Sequence, residues 1–295
     1  MKLLHLNVVL AAVDSDEKSL PVLRGARELA SAAGAKLHVL HVGPARAARR
    51  SAKPADGGDG VKRLMEDAGI TGAQGELHLL RGDPALVIHS LAEKIRADVI
   101  VLGSHRQGSS DDSPLGSTAL RVVTGSDAPC LILSGAITLP LDRVLVPVDL
   151  SDTSRGALAL ALSWASALRG AEKSGGATRN DHARLTALLV ETTVRVEDAT
   201  PTESAALDDE LRRLGSEAGT WAGVAIEGVV IRSSDVESAI ARYAQEHQSD
   251  LVVIGTRGLG ADARRRLGSV SEGVSRRVAV PVLLVPPAVW SSQHN

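Results

Sequence analysis

The chain has 295 residues, 44% of them hydrophobic and 23% charged, with a formal net charge of −2; this is globular composition, long enough for two domains of ~150 residues. Three Trp, one Tyr and no Phe leave a core of Val, Leu, Ile and Ala, which suits layered α/β packing, and exclude the aromatic platforms of base-stacking nucleic-acid modules. The charge balance suits no polyanionic partner, so no nucleic acid is expected.

In chain order, the first half reads as strand Val8–Val13, helix Glu17–Ala33, strand Leu37–Val42 and a polar stretch with a short helix at Val61–Ala68. Strand Glu76–Leu80, helix Ala85–Ile95, strand Val99–Leu102, a glycine-containing loop, helix Ser117–Val123 and strand Cys130–Leu133 follow. The second half reads as Val144–Val148, Arg155–Leu168, Leu185–Val190, Asp208–Trp221, Ala225–Ile231, Val236–His247, Leu251–Ile254, Ser269–Arg277 and Val282–Val285. Continuous apolar runs mark strands buried on both faces, and strand–helix alternation predicts a parallel, doubly wound sheet. Leu139–Asp142 reads as the linker between domains 1–138 and 139–295.

The two halves are one unit repeated. Asp14, closing the first strand, matches Asp149 at an offset of 135. Later pairs, including Asp83/Asp235, Asp98/Asp250, Gly103/Gly255, Gly116/Gly268, Ser117/Ser269, Pro129/Pro281 and Leu131/Leu283, match at an offset of 152. The second copy has therefore gained residues in between, most of them in the Gly/Ser/Lys/Asn-rich stretch Gly170–His182. Lengthening an exposed loop is thermodynamically cheap.

In open parallel sheets, ligands bind beyond the carboxyl ends of the strands at the topological switch point. There, in the second copy, stand Asp149 after the first strand and Gly255-Thr256-Arg257-Gly258 after the fourth. Nine residues later Gly268-Ser269 opens a helix. Glycines let backbone approach an anion closely, and the helix N-terminus favours negative charge. Arg257 and Arg264–Arg266 add positive charge. A plain strand–loop–helix turn with a serine N-cap explains one glycine and one serine of the pattern. The P-loop pattern is missing, and Gly255, Gly258 and Gly260 give G-x-x-G-x-G after the wrong strand for a dinucleotide fingerprint.

The pattern G-x2-G-x9-G-[S/T] after the fourth strand, with V-x-V-D at the first, resembles the universal stress protein family, in its tandem two-domain form, over nearly all of residues 3–288. The resemblance implies five-stranded parallel sheets of order 3-2-1-4-5 with helices on both faces. It implies binding of an adenine nucleotide, ATP with Mg2+ or Mn2+. By position, Pro147, Val148 and Asp149 would flank adenine and ribose, and Val190 would meet adenine through its backbone. Gly255, Arg257, Gly258, Gly268, Ser269, Val270 and Ser271 would line ribose and phosphates. It also implies dimer-like pairing of the domains through their last strands, an internal pseudo-dimer here, and leaves a homodimer open.

In the first copy the corresponding residues are Asp14, Val42, Gly103, Gly116 and Ser117, but Arg106 replaces the second glycine. Its spacer carries Asp111 and Asp112 where the second copy has three arginines and one aspartate. A Cβ and carboxylates both oppose a polyphosphate, so a weaker site is expected, unless Arg106 itself turns inward to hold an anion. Among other residues, His38 and His41 fall on opposite faces of a strand, His105 lies in the first-copy loop, and Asp83 and Asp235 read as helix N-caps. Cys130 is the only cysteine, which excludes an intrachain disulfide and a multi-Cys metal site, and it reads as buried and inert.

Met1–Val13 carries one lysine and no signal-type apolar core, and no 18-residue apolar run occurs. A cytoplasmic protein without membrane insertion is expected. No nucleophile–base arrangement marks an enzyme. The reading is an ATP-binding regulatory stress protein; the rivals are a nucleotide-independent interaction scaffold and a slow ATPase.

Overall fold

Runs such as Val-Ile-Val-Leu at 99–102 have no polar face, so they are stable only with helices over both sides of the sheet. The computed structural model describes residues 6–45, 57–104, 115–168, 183–192, 205, 206, 208, 209, 211, 212, 224–258 and 267–289. The chain divides into two compact units, one of Leu6–Ile137 and the other taking in Thr138–Asn295.

In the first unit, β1 (Val8–Val13), β2 (Lys36–Gly43), β3 (Gly75–Arg81), β4 (Val99–Gly103) and β5 (Cys130–Leu133) lie in the order β3-β2-β1-β4-β5. In the second, β6 (Arg143–Val148), β7 (Ala183–Glu191), β8 (Val224–Arg232), β9 (Leu251–Gly255) and β10 (Val282–Val285) lie in the order β8-β7-β6-β9-β10. Every ladder within each unit is parallel. Both units thus have the 3-2-1-4-5 order expected from the resemblance.

In the first unit α1 (Leu20–Ala33) packs with α2 (Gly57–Asp67), and α3 (Pro84–Ile95) packs with α4 (Ser117–Gly125) against the other face. In the second unit α5 (Asp152–Ala167) covers one face, while α6 (Val236–Glu246) and α7 (Ser269–Arg277) pack together. Leu10, Leu23, Ile100 and Leu131 in the first unit, and Leu145, Leu162, Val253 and Leu283 in the second, have at most 1% of their surface exposed.

The repeat pairs have structural work. At the amino edge the Asp98 carboxylate accepts the N–H groups of Asn7 and Val8 (2.7 and 2.8 Å). Asp250 accepts those of Asp142 and Arg143 (3.0 and 2.8 Å) in the same way, so each aspartate ties the start of its sheet's central strand to the strand beside it. Asp83 and Asp235 cap α3 and α6, accepting from Leu86 N–H (3.1 Å) and Ser238 N–H (3.0 Å). The Arg121 guanidinium, donating to both oxygens of Asp83, holds that carboxyl below the ordinary carboxylate range.

Element boundaries differ in two informative places. The expected helix Glu17–Ala33 is a 3-10 turn at Glu17–Ser19 followed by α1 from Leu20, because Pro21 in the first turn of α1 has no N–H to extend the helix backwards. The helix expected from Arg155 starts at Asp152, since Ser151 supplies its N-cap. The expected helix Asp208–Trp221 and loop Gly170–His182 lie largely outside the described residues. Burial pushes the Cys130 thiol up to about 12, so it is inert, as expected. Among the described residues no helix is long and apolar enough to cross a membrane.

Leu10 and Leu145 occupy the same place in the central strand of the two sheets, each at most 1% exposed. Leu10→Ala and Leu145→Ala should each lower the unfolding free energy by about 2–5 kcal/mol in urea titrations; a loss below about 1 kcal/mol would show that these strands are not the cores of their units.

Candidate functional site

The central pair of strands in each unit parts at its carboxyl end. The β6–β9 ladder ends at Leu145–Val252, well before β6 itself ends at Val148, and Pro147, which has no N–H to offer a neighbour, lies in the splayed stretch. Val148 still pairs with Leu189 of β7, and Val190 follows directly. At this edge of the second unit, Asp149 meets Gly258, and Gly255 and Gly268 each approach Arg257.

Asp149 leaves β6 and is followed by Leu150 at φ 62, a left-handed turn that brings the carboxylate back over the start of α5. Its Oδ1 accepts from the Ser151 hydroxyl (2.6 Å) and the Ser151 N–H (3.1 Å). The Ser151 oxygen in turn accepts from Ser154 N–H (3.2 Å) to cap the helix, and the Ser154 hydroxyl lies 3.4 Å from the Asp149 N–H. Oδ2 faces the glycine loop: a Cβ built on Gly258 would collide with it. Gly255 is held equally close, because a Cβ there would lie 2.8 Å from Thr153 Cγ2 and 3.3 Å from the Arg257 carbonyl.

The loop returns at Gly268, whose N–H donates to the Thr256 carbonyl (2.8 Å). Gly268, rather than Ser269, is the N-cap of α7, and the helix start has no side-chain cap among the described residues. The first backbone bond of α7 is Glu272 N–H to Gly268 carbonyl (3.0 Å), so the N–H groups of Ser269, Val270 and Ser271 are the orphan donors of a helix N-terminus. The serine-cap explanation of the motif therefore fails. The Ser271 hydroxyl is buried and donates to the Gly255 carbonyl (2.6 Å); it locks helix to strand. Arg257 Nε is buried and, among the described residues, finds no hydrogen-bond partner. Arg264–Arg266 lie outside the described residues.

In the first unit the same edge holds a cavity of about 600 Å3 whose lining includes Asp14, Val42, Gly103, Gly116 and Ser117. All five predicted residues of the second site thus meet around one space. Gly116 caps α4 with no side-chain bond among the described residues, as Gly268 does for α7. Of the charged residues described in the lining, Asp14 and Asp16 are acidic and Lys18 is basic; at the 135 offset the second unit has Ser151 where Asp16 stands. His41 also lines the cavity, its Nδ1 3.1 Å from the Val13 carbonyl. His105, Arg106, Asp111 and Asp112 lie outside the described residues.

These features define a tandem doubly wound α/β protein with a glycine-framed helix N-terminus at the carboxyl edge of each sheet. The sequence profile described as "Universal stress protein family" matches residues 6–134 and again 140–286, and the chain belongs to that family. A universal stress protein from Thermus aquaticus is 36% identical over 77 residues, 26% of this chain and 56% of that protein. One from Mycobacterium tuberculosis is 49% identical over 47 residues, 16% of this chain and 32% of that protein. The chain thus spans about half or less of the length of these curated relatives. Among solved structures, a universal stress protein from Archaeoglobus fulgidus superposes with a TM-score of 0.68 at 24% identity, covering 96% of this chain and 97% of that one. A functionally unknown protein from Pseudomonas aeruginosa PAO1 superposes at 0.66 with 17% identity, over 98% and 96% of the two chains. Likeness at this identity shows the fold alone.

Ser151 joins the carboxylate to the scaffold. Ser151→Ala should cost about 1 kcal/mol in urea unfolding through the lost cap, with Ser151→Thr retaining most of it; equal stability of wild type and the alanine variant would remove Ser151 from the cap.

Proposed function

We propose that this protein binds an adenine nucleotide, ATP with Mg2+ or Mn2+, at the carboxyl edge of its second domain, and acts as a nucleotide-dependent regulatory stress protein rather than a catalyst. The observation that carries this reading is the convergence of Asp149, Gly258 and the uncapped N-terminus of α7 on one crevice. Family membership adds to it.

The residues present fit the ligand. Three orphan N–H groups and the positive end of the α7 dipole, equivalent to about half a charge, suit phosphate oxygens. A phosphate would also complete the buried Arg257 Nε. Gly258 sits where a side chain would run into the Asp149 carboxylate, and Gly255 lets α5 and the loop close onto β9. Pro147, Val148 and the Val190 backbone would flank the adenine and ribose, with Asp149 held for the ribose by Ser151. The divalent ion would arrive with the phosphates, as Mg2+ generally does.

The first domain would be the weaker site: Asp16 adds negative charge near its helix N-terminus, and Arg106 replaces the glycine equivalent to Gly258. The two domains would pair through their last strands as an internal pseudo-dimer, which removes exposed sheet edges, in a cytoplasmic setting.

Gly258→Arg reproduces the first-copy residue and would push Asp149 aside. It should weaken Mg-ATP binding by about tenfold or more, ~1.4 kcal/mol, in calorimetric titration of nucleotide-free protein. Unchanged affinity would take the loop out of the site, and no ATP binding by the wild type at millimolar nucleotide would favour the scaffold.

A further inference from the structure

On the opposite side of β2 from His41, a second polar cluster stands apart from the crevice. Register places His38 of β2 directly beside Glu76 of β3, and Leu40 beside His78. Glu76 and His78 are two residues apart on one strand, so all three side chains rise from the same face of the sheet. His38 Nδ1 lies 2.9 Å from His78 Nε2, 3.6 Å from Glu76 Oε2, and His78 Nε2 lies 3.5 Å from Glu76 Oε1. The donor atoms of the three residues all lie within 4.8 Å of one another.

We propose that His38, Glu76 and His78 form a binding site for a divalent transition-metal ion of the zinc class. Zinc bonds of 2.0–2.2 Å in a tetrahedron require donor atoms about 3.3 Å apart, and the three observed separations straddle that value. The ion enters by parting the two ring nitrogens by a few tenths of an ångström and turning Glu76, whose side chain is 67% exposed. The two imidazoles, at 12% and 18% side-chain exposure, are already positioned by the strands. Two nitrogens and one carboxylate select Zn2+, Cu2+ or Ni2+ over Mg2+ or Ca2+, which take oxygen sets. Three protein ligands leave a fourth position for water, open toward solvent because β3 is the outer strand of its unit's order.

The second domain is a built-in control. Counting along matched registers, Thr186 stands for His38, Glu227 for Glu76 and Val229 for His78. There the glutamate is kept, but it accepts a 2.8 Å hydrogen bond from the Thr186 hydroxyl, and Thr186 and Val229 stand where the first domain has its two histidines. A carboxylate at this place is thus accommodated without a metal; the two histidines are what the first domain adds. A bound ion would clip the edge strand β3 to β2 and raise stability in proportion to its occupancy.

The test uses the full chain, freed of metal by chelation and without nucleotide, titrated with Zn2+ at neutral pH by calorimetry and followed by thermal unfolding. The expected result is tight uptake of one Zn2+ per chain at these residues, a zinc-dependent rise in Tm, and no competition from excess Mg2+. His78→Gln and His38→Gln should each weaken that uptake by about tenfold or more and lower the Tm rise at a given zinc concentration accordingly. Exposed Glu76→Ala, which leaves the core untouched, should weaken it to a similar degree. No zinc uptake by the wild type, or uptake unchanged by Glu76→Ala or by either histidine variant, would overturn the proposal.

Discussion

A parallel ladder can be continued only by carrying the chain back across a face of the sheet, and each return begins at the carboxyl edge. Helix N-termini and the loops leading into them therefore collect at that edge, with unpaired N–H groups and partial positive charge. The rest of the structure depends on this constraint. Where the central strands part, beyond Leu145–Val252 in the second unit, the edge becomes a crevice; at the amino edge Asp98 and Asp250 close the same strands together. The frame is closed at one end and open at the other.

What distinguishes the two units is a handful of side chains on the same frame. Both have a glycine, Gly116 or Gly268, at the helix start, with no side-chain cap among the described residues, and both have a serine, Ser19 or Ser154, whose oxygen meets the N–H of the aspartate closing the first strand. The first unit puts Asp16 at the cap of its 3-10 turn, where its carboxylate accepts from Lys18 N–H; the second puts neutral Ser151 there and spends its hydroxyl on Asp149. In the proposed nucleotide site, the loss of that carboxylate lowers the repulsion a polyphosphate would meet.

Strand identity was legible because apolar runs and a colinear repeat are properties of the chain itself; the 3-2-1-4-5 order rested on the family resemblance. The glycine motif was legible for the same reason. What escaped sequence reading depended on contacts between distant segments. Which residue caps α7 could not be read from Gly268-Ser269, since both are good caps; the extended backbone of Gly268 and its carbonyl, which accepts from Glu272 N–H, decide it. The resemblance puts Ser271 along ribose and phosphates, and nothing in the sequence signals that its hydroxyl is engaged with the Gly255 carbonyl. The sequence sets His38 only against His41, on the opposite face of its own strand; its actual partners lie on β3, and the register between strands is set by the fold. The alternating Glu76-x-His78 was the available signal, since period-two spacing aims both side chains to one face.

The central claim is that one of two similar crevices is competent for an adenine nucleotide. The most direct measurement is to denature the purified protein in acid, after saturation with Mg-ATP and removal of free ligand, and to identify and count the nucleotide released. The account predicts about one adenine nucleotide per chain. None would contradict it, and two would show that the first crevice is as competent as the second.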